Sequence, residues 1–296
     1  MGYRSIIVSS AVKITAKDGR LVITGESDGN VPIEDIRTLL IENRLSIISI
    51  HALAELSENG VCVYICDEKH MPCAVLQPFG RYSRQEKRLH QQMEQSKPNI
   101  KRLWQDIVVA KIRNQARCLK LCGIAKTPLA KLAKTVISGD EKNVEAHAAA
   151  VYFKTLFGDD FVRGEDNGIN AALNYGYAIV RGYIARTLAN CGFEPCIGLH
   201  HSSELNNFNL ADDIIEPFRP LVDMFVFQNV GKEEFNVTTK REICNILNYE
   251  LLSGEELHSA AYAVERLVHS LERCFEDKSE SLVLPVLCEL KRHEYE

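Results

Sequence analysis

The residues whose types and spacing could carry chemistry cluster in Gly198-Leu199-His200-His201 and in the run Asp212-Asp213-Ile214-Ile215-Glu216-Pro217 that follows it. Imidazoles and carboxylates gathered this closely can hold a divalent cation. Carboxylate and water are the hard donors of Mg²⁺ and Mn²⁺, and one neutral imidazole is tolerated by Mn²⁺. Either His200 or His201 fits that role. On a helix, Asp213 and Glu216 stand at i, i+3 and Asp212 and Glu216 at i, i+4, so two acids face one spot and repel unless a cation lies between them. An acidic first turn favoured by the helix dipole is the competing reading. Pro217 argues for a special purpose, because it distorts the helix right beside these acids. The third ligand expected is Glu145, the single acid in the largely apolar helical run Val144 to Phe153. Ala149 and Tyr152 share its face, and small neighbours leave room for an ion. The alternative is an ordinary surface glutamate capped against Asp140 or Lys142.

Such a site narrows the reaction. The chain has no Gly-x-Ser-x-Gly, His-Glu-x-x-His, Walker loop or Gly-x-Gly-x-x-Gly, so acyl transfer, zinc proteolysis, ATP use and dinucleotide chemistry lack motif support. Metal-assisted phosphoryl transfer remains, with the cation polarising a phosphate oxygen and helping to deprotonate an attacking hydroxyl. A polyanionic substrate also has a counterpart in the sequence. Residues 81 to 135 carry 14 Lys or Arg against three acids, a net +11 in a chain whose total is −5. One sign of charge clustered along helices is the footprint of a surface that neutralises phosphates. Arg181 and Arg186 are further candidates for phosphate contact, whereas the aromatics of Asn174-Tyr175-Gly176-Tyr177 read as core.

These side chains need a scaffold, and the patterning predicts an α+β chain. Residues 1–80 read as a small N-terminal β domain. Val12 to Thr24 alternates across Asp18-Gly19, a hairpin signal, with further strands at 38–41, 46–50, 61–66 and 73–76 and a short helix at 51–57. Pro78-Phe79-Gly80-Arg81 marks the change to helical periodicity. Residues 81–95 are predicted as linker and first helix, capped by Ser83, and 96–296 as a larger all-α catalytic domain. Its helices are expected from Pro98 onward and at 129–137, 141–157, 168–191, 210–226, 239–251 and 256–276. The apolar Leu282 to Leu287 predicts that the charged tail packs against something.

Composition bounds the setting. With 296 residues, 46% of them hydrophobic, the chain is long enough for two cores. No signal peptide or membrane span is visible, so a cytoplasmic protein is expected. Ten cysteines without a Cys-x-x-Cys pair read as buried thiols, with a structural zinc site as the minor alternative.

Four stretches, in order, resemble a known family. They are Asn143-Val144-Glu145-Ala146-x-Ala148-Ala149-x-x-Tyr152-Phe153, Asn170-Ala171-Ala172-Leu173-Asn174-Tyr175-Gly176-Tyr177, Gly198-Leu199-His200-His201, and Asp213-Ile214-Ile215-Glu216-Pro217-Phe218-Arg219-Pro220-Leu221-Val222-Asp223. The chain is similar to the CRISPR-associated adaptation integrase, the metal-dependent subunit that inserts spacers. Met1 to Val8 and Pro78 to Arg81 resemble its type II branch. The resemblance implies an N-terminal β-sandwich-like domain before a helical catalytic domain. It also implies Mg²⁺ or Mn²⁺ held by Glu145, His201 and Glu216, with Asp213 as a further ligand or as a support behind one. His200 keeps an open role. The implied reaction is transesterification, in which the 3′-hydroxyls of a short double-stranded DNA attack phosphodiesters at a repeat end. The implied partners are spacer-precursor and repeat DNA, a second copy in a homodimer, and a small ferredoxin-like CRISPR-associated protein completing a heterohexamer. The type II effector nuclease is a further expected partner, and no membrane is involved. A stand-alone metal nuclease and a non-catalytic DNA-binding scaffold are the competing functions.

Overall fold

The structure, a computed structural model, describes residues 2–25, 28–68, 70–76, 84–124, 127–230 and 235–294. The Pro78 to Arg81 motif, the Ser83 cap and Lys126 of the basic segment lie outside the described residues. The chain divides into two compact units, Met1–Arg81 with Tyr295–Glu296, and Tyr82–Glu294.

The first unit runs β1 (Arg4–Val8), β2 (Lys13–Lys17), β3 (Arg20–Thr24), β4 (Gly29–Pro32), β5 (Ile36–Ile41), β6 (Ile47–Ile48), α1 (Ile50–Glu58), β7 (Cys62–Cys66) and β8 (Pro72–Val75). The expected hairpin is present. Lys17 pairs with Arg20, and Asp18 and Gly19 both take positive φ, of 50° and 69°, the backbone that a tight hairpin turn requires. Alternation buries Ile14 and Leu21 completely. Two four-stranded sheets form, ordered β1-β5-β7-β8 and β4-β3-β2-β6. Val8, Leu39 and Val63 of the first sheet share one core with Ile14 and Leu21 of the second and with Ala52 and Leu56 of α1, which makes the unit sandwich-like. Ser49 caps α1 by accepting a 3.1 Å bond from the Ala52 amide.

The second unit is mainly helical. It runs α2 (Gln85–Met93), α3 (Lys97–Leu121), α4 (Leu129–Leu132), α5 (Val144–Phe157), α6 (Gly168–Asn190), α7 (Asn209–Ile214), α8 (Arg219–Asn229), α9 (Val237–Ile243), β9 (Tyr249–Ser253), β10 (Glu256–Ser259), α10 (Ala260–Glu276) and β11 (Pro285–Arg292). The 25-residue α3, opened by Pro98 in its first turn, buries Leu103, Trp104, Ile107, Val108 and Ile112. At Gly176, a Cβ would run into the Val222 side chain, so the glycine is what lets α6 and α8 pack this closely.

Two expectations about this unit are corrected. It is not all-α, since β10, β9 and β11 form a three-stranded antiparallel sheet, and residues 249–251 and 256–259, expected within helices, belong to its hairpin. Tyr249–Ser253 buries every second residue, a strand period, and Gly254 turns the chain with φ 70°. The packing expected of Leu282 to Leu287 is met in part by β11 pairing with β9. The helix expected at 210–226 is also broken, into α7, a 3₁₀ turn at Glu216–Phe218 and α8, because Pro217 has no amide to continue the ladder. All ten cysteines are free, and Cys62, Cys66, Cys118, Cys191, Cys244 and Cys274 are buried. Among the described residues no helix is long and apolar enough to cross a membrane.

Candidate metal centre

Helices α3, α5, α7 and α8, the 3₁₀ turn at Glu216–Phe218 and the segment that carries His201 build the site. Glu145 sits in the first turn of α5, where Asp140 fixes the backbone by accepting from the amides of Val144 and Glu145, each at 2.9 Å. Glu216 opens the 3₁₀ turn that Pro217 enforces, and it is only 4% exposed. Lys111 projects from the buried face of α3 and contacts both carboxylates. Arg219, the first residue of α8, adds a 2.9 Å bond from Nε to Glu216 Oε1.

The electrostatics follow from this packing. Burial alone would raise the Glu216 carboxyl, but Arg219 and Lys111 overcome it and hold the group down to about 2. Burial would likewise lower the Lys111 ammonium, and Glu216 and Glu145 together raise it instead. Both groups are therefore ionised near neutrality. Glu216 Oε2 is in direct contact with the Lys111 ammonium, while Oε1 accepts from Arg219.

His201 is oriented by Asp213. The Asp213 carboxylate is fully buried and accepts from the amides of Leu199 at 2.6 Å, His200 at 3.0 Å and His201 at 3.2 Å. Its Oδ1 also pairs with His201 Nδ1 at 2.7 Å. Gly198 permits this wrapping, because a Cβ there would lie 2.8 Å from Asp213 Oδ2. In the neutral ring Nδ1–H donates to the carboxylate and leaves the Nε2 lone pair available, the arrangement by which a carboxylate fixes a metal-binding imidazole. The hydrogen bond to Asp213 raises the His201 pKa, and Glu216 is close enough to add to the rise. His200 lies flat on buried Trp104, with centroids 4.4 Å apart and planes 1° apart, and Trp104 meets the His201 ring edge-on at 5.9 Å.

The expected residues are thus placed unevenly. Glu145 and Glu216 converge on one ammonium, and His201 presents its ring within electrostatic reach of Glu216. Asp213 stands behind His201 with both oxygens engaged by protein donors. Asp212 is held in a two-point pair with Arg181 at 2.6 and 2.9 Å. Arg181 is therefore not free for phosphate, and Arg186 is buried against Tyr183. Among the described residues no three His, Cys, Asp or Glu side chains are gathered closely enough to enclose a cation as they stand. The donor set nevertheless fits one. Two carboxylates that share one ammonium and a pre-oriented imidazole suit a hard divalent ion, provided Lys111 withdraws.

Sequence reasoning missed the support beneath the site. Arg219 stacks over Tyr177 at 4.6 Å and Arg163 over the same ring at 5.4 Å, while the Tyr177 hydroxyl donates to buried Asp223. Burial raises the Asp223 carboxyl to about 6, against the bonds from Tyr177 and Tyr152. Lys111 did leave a signal, since it falls on the same helical face as Trp104, Ile107, Val108 and Ile112. A cation at a core position demands a buried anion.

The chain is 41% identical, over the full length of both proteins, to the CRISPR-associated endonuclease Cas1 of Neisseria meningitidis. Its fold is shared with a casposase bound to integration product, at TM-score 0.77 and 19% identity over 95% of this chain and 92% of the other. It is shared as well with a chain of a partial Cas6-RT-Cas1–Cas2 complex, at TM-score 0.60 and 18% identity over 98% and 100%. The family described as CRISPR associated protein Cas1 matches residues 6–253, a span that includes Glu145, His201, Asp213 and Glu216, and the chain belongs to that family.

Proposed function

We propose that this endonuclease-family chain is a DNA integrase that joins the 3′-hydroxyls of a short duplex to phosphodiesters at the end of a CRISPR repeat. The observation that carries the reading is the convergence of Glu145 and Glu216 on one buried cation beside the His201–Asp213 pair. The residues that would hold Mg²⁺ or Mn²⁺ are Glu145, Glu216 and His201. When bound, such an ion supplies Lewis-acid polarisation of the phosphodiester and lowers the pKa of the attacking hydroxyl. Asp213 locks the His201 tautomer, and its buried carboxylate is a positioning group rather than a ligand. Arg219 keeps Glu216 ionised. With the two carboxylates engaged by an ion, the Lys111 ammonium would be free to face the phosphate. No nucleotide is consumed, because one phosphodiester is exchanged for another. The complete assembly is a homodimer with duplex DNA and a Cas2 partner, a pairing named in the Cas1–Cas2 complex whose fold this chain shares.

A stand-alone nuclease would use the same groups with water as the nucleophile, and product analysis separates the two. With a repeat-bearing plasmid, a duplex bearing free 3′-hydroxyls and Mn²⁺, the wild-type chain with its Cas2 partner should give covalently joined strands. Glu145→Gln should lower the yield at least 100-fold, roughly the loss expected on removing a metal ligand's charge. Nicks without joined strands would contradict the integrase reading.

A further inference from the structure

The basic segment does not present its charge uniformly. Arg88 is buried against Glu272 and Glu276, Lys101 pairs with Glu141 at 2.6 Å, Arg102 with Asp106 at 3.8 Å, and Lys111 is held in the site. Among the exposed Lys and Arg of the segment that no acid pairs, Arg113 and Arg117 stand out by their place in a groove. They are exposed at i, i+4 on α3 and, among the described residues, neither has an acidic partner. Both line a groove of about 270 Å³ whose other wall is formed by Leu284 and Pro285 at the start of β11. Buried Asn114 ties the groove to the candidate centre. Its amide donates to the carbonyls of Pro217 at 2.8 Å and Pro285 at 3.0 Å, and Pro217 follows Glu216 directly.

We propose that this groove between α3 and β11 is a phosphate track, in which Arg113 and Arg117 hold neighbouring phosphates of a DNA strand leading to the candidate centre. The proposal rests on the DNA-joining reading above. The two Cβ positions are about 5–6 Å apart on the helix, a spacing that lets two guanidiniums grip one strand. The groove has little with which to read bases. The Asn114 oxygen already accepts from the Leu287 amide at 3.0 Å, and the opposite wall is apolar. The contact is therefore one that positions a backbone without selecting sequence. Asp106 at the groove's edge is paired with Arg102, which limits its repulsion of phosphate.

The test is duplex binding in EDTA across a salt series, which removes catalysis from the readout. Arg113→Gln/Arg117→Gln is compared with wild type and with Lys131→Gln/Lys134→Gln, an equal charge change at two exposed lysines elsewhere in the unit. The groove variant should lower the slope of log K against log salt by about 1.8, from two lost phosphates at about 0.9 each, with unchanged melting temperature. The lysine variant should fall by clearly less. An unchanged slope in the groove variant, or equal losses in both variants, would overturn the track while leaving the joining reading intact. A wild-type chain that binds no duplex would overturn both.

Discussion

A lysine among Trp104, Ile107, Val108 and Ile112 on the buried face of α3 is tolerable only because two carboxylates meet it there. Removing the ammonium leaves Glu145 facing Glu216 with only Arg219 to compensate. Lys111→Met should therefore destabilise the metal-free chain by about 3–5 kcal/mol, the usual cost of breaking a buried pair. Mn²⁺ should return much of that loss, since binding to the folded state alone raises stability by mass action. Thermal melts in EDTA and in Mn²⁺ measure both, and an unaltered melt in EDTA would show that the two acids do not depend on Lys111. At this scale His201, Glu216 and Glu145 were legible in the sequence because their types, and their local or motif spacing, carry the signal. The status of Asp213 was not, since whether a carboxylate faces an ion or a backbone depends on where Gly198 to His201 fold relative to α7. Arg219 and Asp223 stood inside a quoted motif, yet their roles depend on Tyr177 and Tyr152 from other helices.

Helices α6 and α8 meet at Gly176 against Val222 and at Tyr177 against Asp223, and this seam holds Arg219 in place under Glu216. Asp223 makes the seam sensitive to pH. Its folded pKa of about 6 lies above the ordinary 3.8, so its contribution to stability is complete below 3.8 and is lost as pH rises through about 6. Asp223→Asn keeps an acceptor for Tyr177 without the buried charge. Its melting temperature relative to wild type should rise by several degrees between pH 5 and pH 8. A difference independent of pH would show that the carboxyl is ionised throughout. The element boundaries were partly readable. The Asp18-Gly19 hairpin and the break at Pro217 follow from local backbone chemistry, and both are present. The β9–β10 hairpin escaped because Leu251-Leu252 fits either period, and only pairing with β11, some 30 residues on in sequence, selects the strand.

Across the whole molecule, the division into a strand-rich unit and a helical unit was legible from the change of period, and the family match spans both. Net charge was a coarser guide. Part of the +11 segment is taken up by ion pairs, at Lys87, Arg88, Lys101, Arg102 and Lys111, while exposed residues such as Arg113, Arg117 and Lys120 keep their charge outward. On the proposed function, Glu145, Glu216 and His201 would hold one divalent cation in place of Lys111. Calorimetric titration of Mn²⁺ into the purified chain tests it most directly, with His201→Ala and Glu216→Gln beside the wild type. The expected result is about one ion per chain for the wild type and at least tenfold weaker binding in each variant, in the range that loss of a ligand or its support typically costs. Binding of equal strength and stoichiometry in all three proteins would contradict it.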